Sequence, residues 1–533
     1  MANQDRSYTP VLVIGSGIAG CTTALVLADA GVSVTLISAG SSGKEANSWL
    51  AQGGIIYKAE QGDPALLEQD LLTAGHRHNN IDAVRYLAEQ GSRVVEELLI
   101  RRLNIPFTQH AENPKVELEW ELTREGGHSA PRILYCADHT GRSIMDSLMA
   151  AVEQSPNIAI LRGMTAIDLL TAHHHTLGME YRYQLENACC GAYVFNETTR
   201  RVETMLADYT VLATGGVGQL FLHTTNSTGA VGSAISMASR AFARLENLEF
   251  MQFHPTAFYH QNAPRFLITE AIRGEGAILV DAEGKRFMPR YDQRAELAPR
   301  DVVSQSIVAE MLKSGAQCVY LDVRDVQHDL VRRFPTVFES CAKYNIDIRK
   351  DLIPVVPAAH YFCGGVLTDL AGRTSLSRLY SVGECSCTGL HGANRLASAS
   401  LLEGLLWGYS AAKDIFNGLA EGKTLTERLR DNIAPWHSTV ASEQNDDPAL
   451  IAQDWANIRN TMWNYVGIMR TQARLSRAFE EMRDLSRHVH DFYKQTPISK
   501  PLIDLFHGCQ AAYMIIQSCK RNTRSLGCHR LMD

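Results

Sequence analysis

A chain of 533 residues exceeds what one hydrophobic core supports and implies about two to four domains. With 45% hydrophobic and 20% charged residues it has the composition of an ordinary globular protein, which excludes a disordered or fibrous chain. The formal net charge of -7 argues against nucleic acid or an anionic membrane as the main partner, so an anionic ligand has to be held by local positive charge.

The N-terminal "MANQDRSYTP" is polar and lacks the basic-then-apolar order of a signal peptide. The most apolar long window, Val11 to Ile37, carries Asp29 and four glycines, which makes it a poor membrane span. The twelve cysteines contain no C-x-x-C, so reduced, mostly buried thiols of a cytoplasmic protein are expected, with no metal site.

From Val11 the chain reads strand (to Ile14), glycine turn, helix (Ala19 to Asp29), then a second strand (Val32 to Ile37): a βαβ unit. "TAHHHTLGMEYRYQ" is read as a polar hairpin tip, because three adjacent histidines do not share one face of a helix or strand. "ADYTVLATGGVGQ" and "SRLYSVGECS" repeat the pattern of a buried strand ending at glycine. Three such strand ends imply one α/β nucleotide-binding domain, residues 1–238 and 352–418, interrupted by an inserted α+β domain over 239–351. The insertion holds a helix in "RDVVSQSIVAEMLKSG" and a strand in "QCVYLDV". Residues 419–533 read as a helical domain, with Met462, Tyr465, Val466, Met469, Ala473, Ala478, Phe479 and Met482 near helical spacing and a solvated basic face.

Gly15-Ser16-Gly17-Ile18-Ala19-Gly20 follows a strand and opens a helix, the context in which glycines allow close approach of a pyrophosphate to a helix N-terminus. The acidic residue expected at the end of the second strand is replaced by Ser38, whose hydroxyl can still bond a ribose. The next segment, "NSWLAQGG" (Asn47, Ser48, Ala51, Gln52, Gly53 and Gly54 among its residues), resembles the second flavin-contacting loop of the succinate dehydrogenase/fumarate reductase flavoprotein family. That resemblance implies a Rossmann-like FAD-binding domain with an inserted capping domain. It further implies that Glu384 holds the flavin's sugar chain and that Ser400 and Leu401 begin a helix facing its ring. Members that bind FAD covalently carry a histidine five residues before this Gln; here Asn47 stands there, and dissociable FAD is expected. Ser233 replaces a usual Asp and Ala39 a common Lys.

Four segments place a cation or donor beside glycine or proline: "MQFHPTA" (His254), "AELAPRDVV" (Arg300), "VVPAAHYFCGG" (His360) and "TGLHGANRLASASLLE" (Arg395). Two guanidinium groups and two imidazoles suit a small dicarboxylate, gripped bidentately by arginine and by histidine N–H groups. The family resemblance implies that Arg300 exchanges the proton at the reacting carbon and that Gln252 and Thr269 bond the far carboxylate. A guanidinium is a poor base unless positive neighbours and lost solvation disfavour its charge. "TREGGHS" resembles a loop of the family's amino-acid-oxidising branch, in which the glutamate, here Glu125, faces the substrate's α-amino group. "TTNSTGAVGS", "ENLEFMQFHPTA" and "MWNYVGIMRT" resemble the same branch. The resemblance therefore implies oxidation of L-aspartate to iminoaspartate with O2 or fumarate as acceptor. Coupling to quinolinate synthase, on the route to NAD, goes with it. A soluble fumarate reductase or succinate dehydrogenase-type flavoprotein, and a silent flavin-binding scaffold, are the alternatives.

Overall fold

The computed structural model describes residues 6–59, 64–109, 120–261, 263–326, 329–437 and 447–533. The apolar run "VLVI" lies within the strand Arg6–Ile14, and Val11, Leu12, Val13 and Ile14 are all buried, as a strand covered on both faces requires. This strand pairs in parallel with Val34–Ser38 on one side and Arg201–Leu212 on the other. Leu379–Ser381 pairs in parallel with Arg201–Leu212 as well, with Ser381 beside Leu212 and Ile14 beside Leu212. The three strand ends legible in the sequence thus lie side by side at the carboxyl end of one sheet. The sheet is completed by Ile158–Arg162, parallel to Val34–Ser38, and by Cys189–Asn196 and Met164–Thr171, which are antiparallel.

The helix Ile18–Asp29 starts one residue earlier than expected and packs against the long helix Ala399–Ala420. Its glycine turn is forced: Gly15 has φ of 116°, and a Cβ there would sit 2.2 Å from Ala213 O. The histidine-rich segment joins two antiparallel strands, as a hairpin tip does, but Ala172–His175 form a helical turn capped by Thr171, and His175 packs edge-on against Tyr193.

The insertion forms an antiparallel sheet in the order Met251–Phe258, Ile353–Phe362, Val319–Asp322, Ile278–Val280. Ile353–Phe362 lies beyond the boundary expected at 351, yet it pairs with two strands of the insertion, and Ile353 and Val355 join its apolar cluster. The helix Arg300–Ser314 packs on Met251–Phe258, tied by Ser304 Oγ donating to Phe253 O at 3.0 Å, and it ends at left-handed Gly315. Pro448–Val466, Gln472–Gln495 and Lys500–Arg521 form the C-terminal helices around one apolar cluster. The periodic stretch expected as one run is two helices, broken after Gly467 and restarted by Thr471 as N-cap. Arg470, expected on a solvated face, is instead fully buried: its guanidinium donates to the carbonyls of Val466, Gly467 and Glu249.

Among the described residues, all twelve cysteines are free, and all but Cys318 are buried. Among the described residues no helix is long and apolar enough to cross a membrane.

Candidate functional site

A single cavity runs from the glycine turn to the insertion and brings together nearly all of the residues singled out by sequence. At one end lie Gly15, Ser16, Gly17, Ile18 and Ala19, with Ser38, Ala39 and Ser233. Gly20 does not line it; a Cβ there would meet Gly15 O at 2.0 Å, so its smallness serves the packing of turn against helix. Ser16 Oγ donates to Ser38 Oγ at 3.0 Å, and Ser48 Oγ accepts from Ile18 N at 3.2 Å. Asn47, Ser48, Ala51, Gln52, Gly53, Gly54, Glu384, Ser400 and Leu401 line the next section. Asn47 spans it: Nδ2 donates to Glu384 Oε2 at 3.1 Å, and Oδ1 accepts from Ser227 N at 2.7 Å. Burial pushes the Glu384 carboxyl up to about 7, opposed by its hydrogen bonds from Phe362 N and Asn47.

These residues fit a bound dinucleotide. Gly17 heads the helix Ile18–Asp29 without a side-chain cap, which leaves room for an anion at its N-terminus. Gln52 Oε1 and Asn226 Oδ1 are buried without a hydrogen-bond partner in the protein, the condition expected of groups that a ligand completes.

At the other end the two strands Met251–Phe258 and Ile353–Phe362 carry the imidazoles. His254 pairs with Ala358 in register, and its ring lies 5.1 Å from that of His360, at 60°. His254 Nδ1 accepts from Thr256 N at 3.2 Å, while Nε2 is buried and unpartnered. Burial, and then Arg300, hold the His254 imidazole well below its ordinary pKa. The neutral ring therefore carries its proton on Nε2, a donor without a protein acceptor. Burial and then Arg300 depress His360 likewise, and its Nδ1 lies 3.0 Å from Thr225 Oγ1.

Arg300 opens its helix, donating through Nε to Glu270 Oε2 at 2.5 Å and through a terminal nitrogen to Gln252 Oε1 at 3.1 Å. Arg395 lies over the Tyr361 ring at 4.7 Å, donates to Ser400 Oγ at 3.2 Å, and has its Nε buried and unpartnered. Burial, followed by the charge of Arg300, pushes the Arg395 guanidinium down to about 10. Thr269 lines the cavity. Gln252 does not, contrary to the expectation for it: it is fully buried, and its Nε2 donates to Asn394 Oδ1 at 2.7 Å and to Arg395 O at 2.8 Å. With both ends of its amide occupied, it ties Arg300 to the loop of Arg395.

Glu125 lines the same end, 7% exposed. Its Oε2 accepts from Ser398 Oγ at 2.7 Å, and that hydroxyl in turn accepts from Gly54 N at 3.2 Å. Burial raises the Glu125 pKa, with neighbouring Glu270 adding to the rise while Ser398, Arg300 and Arg395 oppose it. Glu125, Gly126, Gly127 and His128 form the expected turn, closed by His128 N donating to Glu125 O at 3.2 Å, with Gly127 left-handed. Arg132, from the same stretch, points elsewhere and pairs with buried Asp70.

Sequence reasoning missed Glu270, Arg273 and Ser398. Glu270 is buried between Arg300 and Arg273; burial pushes its carboxyl up, but those two cations outweigh it and hold the pKa below the usual value. The spacing Glu270-x-x-Arg273 within apolar neighbours is the signal that could have found the pair. Ser398 adopts a left-handed conformation, φ 57°, at the start of the helix Ala399–Ala420, a costly geometry for a non-glycine residue and one associated with functional sites.

A family model described as "FAD binding domain" matches residues 10–401. The chain is 42% identical to the L-aspartate oxidase of Pseudomonas aeruginosa over 98% of this chain and 95% of that one. It is 39% identical to the L-aspartate oxidase of Vibrio cholerae, covering 100% and 97%. Among solved structures, E. coli quinol fumarate reductase FrdA superposes with a TM-score of 0.86 at 25% identity, covering 99% and 92%. Full-length identity at this level, joined to a cavity built for a dinucleotide, places the chain in the L-aspartate oxidase family of FAD-binding flavoproteins.

Proposed function

We propose that the chain oxidises L-aspartate to iminoaspartate, with FAD passing the electrons to O2, which yields H2O2, or to fumarate, which yields succinate. The observation that carries this reading is Glu125, a buried carboxylate in a cavity that also holds Arg300 and Arg395. Succinate and fumarate have no cationic group, so a site for them alone has no use for this carboxylate. An α-ammonium entering beside two guanidinium groups meets repulsion that a carboxylate within a few ångströms cancels.

The roles follow from the chemistry of each group. Arg300 and Arg395 grip the two carboxylates, and Glu270 and Gln252 fix the direction of Arg300. The His254 Nε2–H and His360 bond carboxylate oxygens as neutral donors, which adds no further charge against the ammonium. Thr269 adds a hydroxyl on the same wall. Ser398 orients Glu125 toward the amine and, through Gly54, joins it to the flavin loop. In the fumarate-reducing direction Arg300 delivers the proton to carbon. FAD, when bound, takes up two electrons from the substrate and releases them to the acceptor. Asn47 offers only an amide, engaged by Glu384 and Ser227, so the cofactor is dissociable. The capping region extends from 239 to about 362, between two parts of the FAD-binding domain, and residues 419–533 are the helical domain. Iminoaspartate then supplies quinolinate synthase in the cytoplasm, on the route to NAD.

Anaerobic mixing of the FAD-loaded protein with L-aspartate is expected to bleach the flavin absorbance, and succinate to bleach it far more slowly. Rapid bleaching by succinate with none by aspartate contradicts the reading and favours a fumarate reductase.

A further inference from the structure

The cavity has one more polar wall, built from elements that take no part in the chemistry above. Ser38 pairs in register with Arg162, and two residues further on Met164, Thr165 and Ala166 enter the cavity lining. This wall therefore flanks the end of the second strand of the βαβ unit, where the sugar of a dinucleotide binds. Thr165 is 5% exposed, and its Oγ1 has no hydrogen-bond partner in the protein. A buried hydroxyl in this state points to a ligand atom that completes it.

The C-terminal helix Lys500–Arg521 packs against the strand Met164–Thr171 and the helix Ser233–Arg240. Its first two turns bring Lys500 and Asp504 into the lining of the same cavity. Lys500 Nζ donates to Asp504 Oδ2 at 2.5 Å. Burial pushes the Asp504 carboxyl up, and Lys500 opposes that shift. An ion pair at consecutive turns of a solvated helix contributes little. Placed in a cavity wall, it presents an acceptor and a donor side by side to whatever fills the cavity.

We propose that Lys500 and Asp504, with the Thr165 hydroxyl, form the subsite that reads the adenine of the dinucleotide. Adenine carries an amino donor beside a ring-nitrogen acceptor, whereas guanine carries two acceptors on the corresponding edge. A carboxylate next to an ammonium complements the first pattern, whereas with the second the carboxylate meets another acceptor. The assignment rests on FAD as the cofactor, and it gives the helical domain a direct part in holding it.

The test uses apoprotein, flavin fluorescence to read FAD binding, and ADP and GDP as competing probes. Wild type is expected to bind FAD and to prefer ADP to GDP by about tenfold, the scale of one well-placed polar pair. Lys500→Met and Asp504→Leu are each expected to weaken FAD and ADP by about tenfold, and Asp504→Leu also to remove the preference. Asp504→Asn, which preserves size and offers a donor, is expected to narrow the preference even if the leucine variant does not fold. Equal binding of ADP and GDP by wild type, or unchanged FAD and ADP affinity in the variants, overturns the proposal. Failure of wild type to bind FAD overturns the cofactor reading instead.

Discussion

At Gly126 a Cβ would come within 2.3 Å of Glu270 Oε1, the carboxylate that holds Arg300. Glu270 cannot yield without turning Arg300, since its other neighbour, Arg273, is also buried. Gly126→Ala is therefore expected to lower kcat/KM for L-aspartate by roughly tenfold to a hundredfold, as small displacements of aligned groups do, while the melting temperature changes little. Steady-state kinetics beside a thermal melt check this; unchanged kcat/KM would show that Glu270 moves freely. The residues of the site were legible to differing degrees. His254, His360, Arg300, Arg395 and Glu125 were readable because chemically distinctive side chains stand beside glycine or proline in recognisable segments. Glu270 was missed because its spacing from Arg273, the signal it offers, is the same on a solvated helix face as in a buried site. Gln252 was legible as a site residue, but the direction of its amide depends on Asn394, over a hundred residues away, which no local pattern encodes.

Among the elements, the strands of the βαβ unit and the helix Arg300–Ser314 were predictable from apolar runs and from Pro299 and Gly315 at its ends. The C-terminal helices were harder, because apolar spacing continues through a break at Gly467. The break is held by Arg470, whose guanidinium caps the carbonyls of Val466 and Gly467 and also reaches Glu249 O and His529 Nδ1. Its burial follows from those acceptors: a helix end inside the protein needs donors, and an arginine supplies several at once. Arg470→Met removes them and is expected to cost about 3 kcal/mol, read as a lower urea midpoint. Wild-type stability in that variant would show that the helix end finds other donors. The strand Ile353–Phe362 lay outside the insertion expected from sequence for a related reason, since its pairing with Met251–Phe258 joins residues about a hundred positions apart.

On the scale of the whole molecule, a chain of net charge -7 gathers two guanidinium groups and two imidazoles at one end of its cavity by converging segments from three regions. Glu125 comes from the loop before the helix Thr140–Gln154, His254 and Arg300 from the insertion, and Arg395 from the loop that returns to the FAD-binding domain. The α/β class and the interrupted domain were readable from three strand-then-glycine signatures, which the sheet brings side by side. The central claim is that Glu125, a carboxylate bonded to Ser398 and not, like Glu270, to an arginine, makes this an amino-acid site. Stopped-flow anaerobic reduction of bound FAD by L-aspartate, in wild type and Glu125→Gln, tests it most directly when paired with reoxidation of the reduced protein by fumarate. The account expects the variant to lose roughly a hundredfold in reduction by aspartate, the cost of leaving a desolvated ammonium unpaired, while fumarate reoxidation stays near the wild-type rate. Equal aspartate reduction in both proteins, or equal losses in both half-reactions, would contradict it.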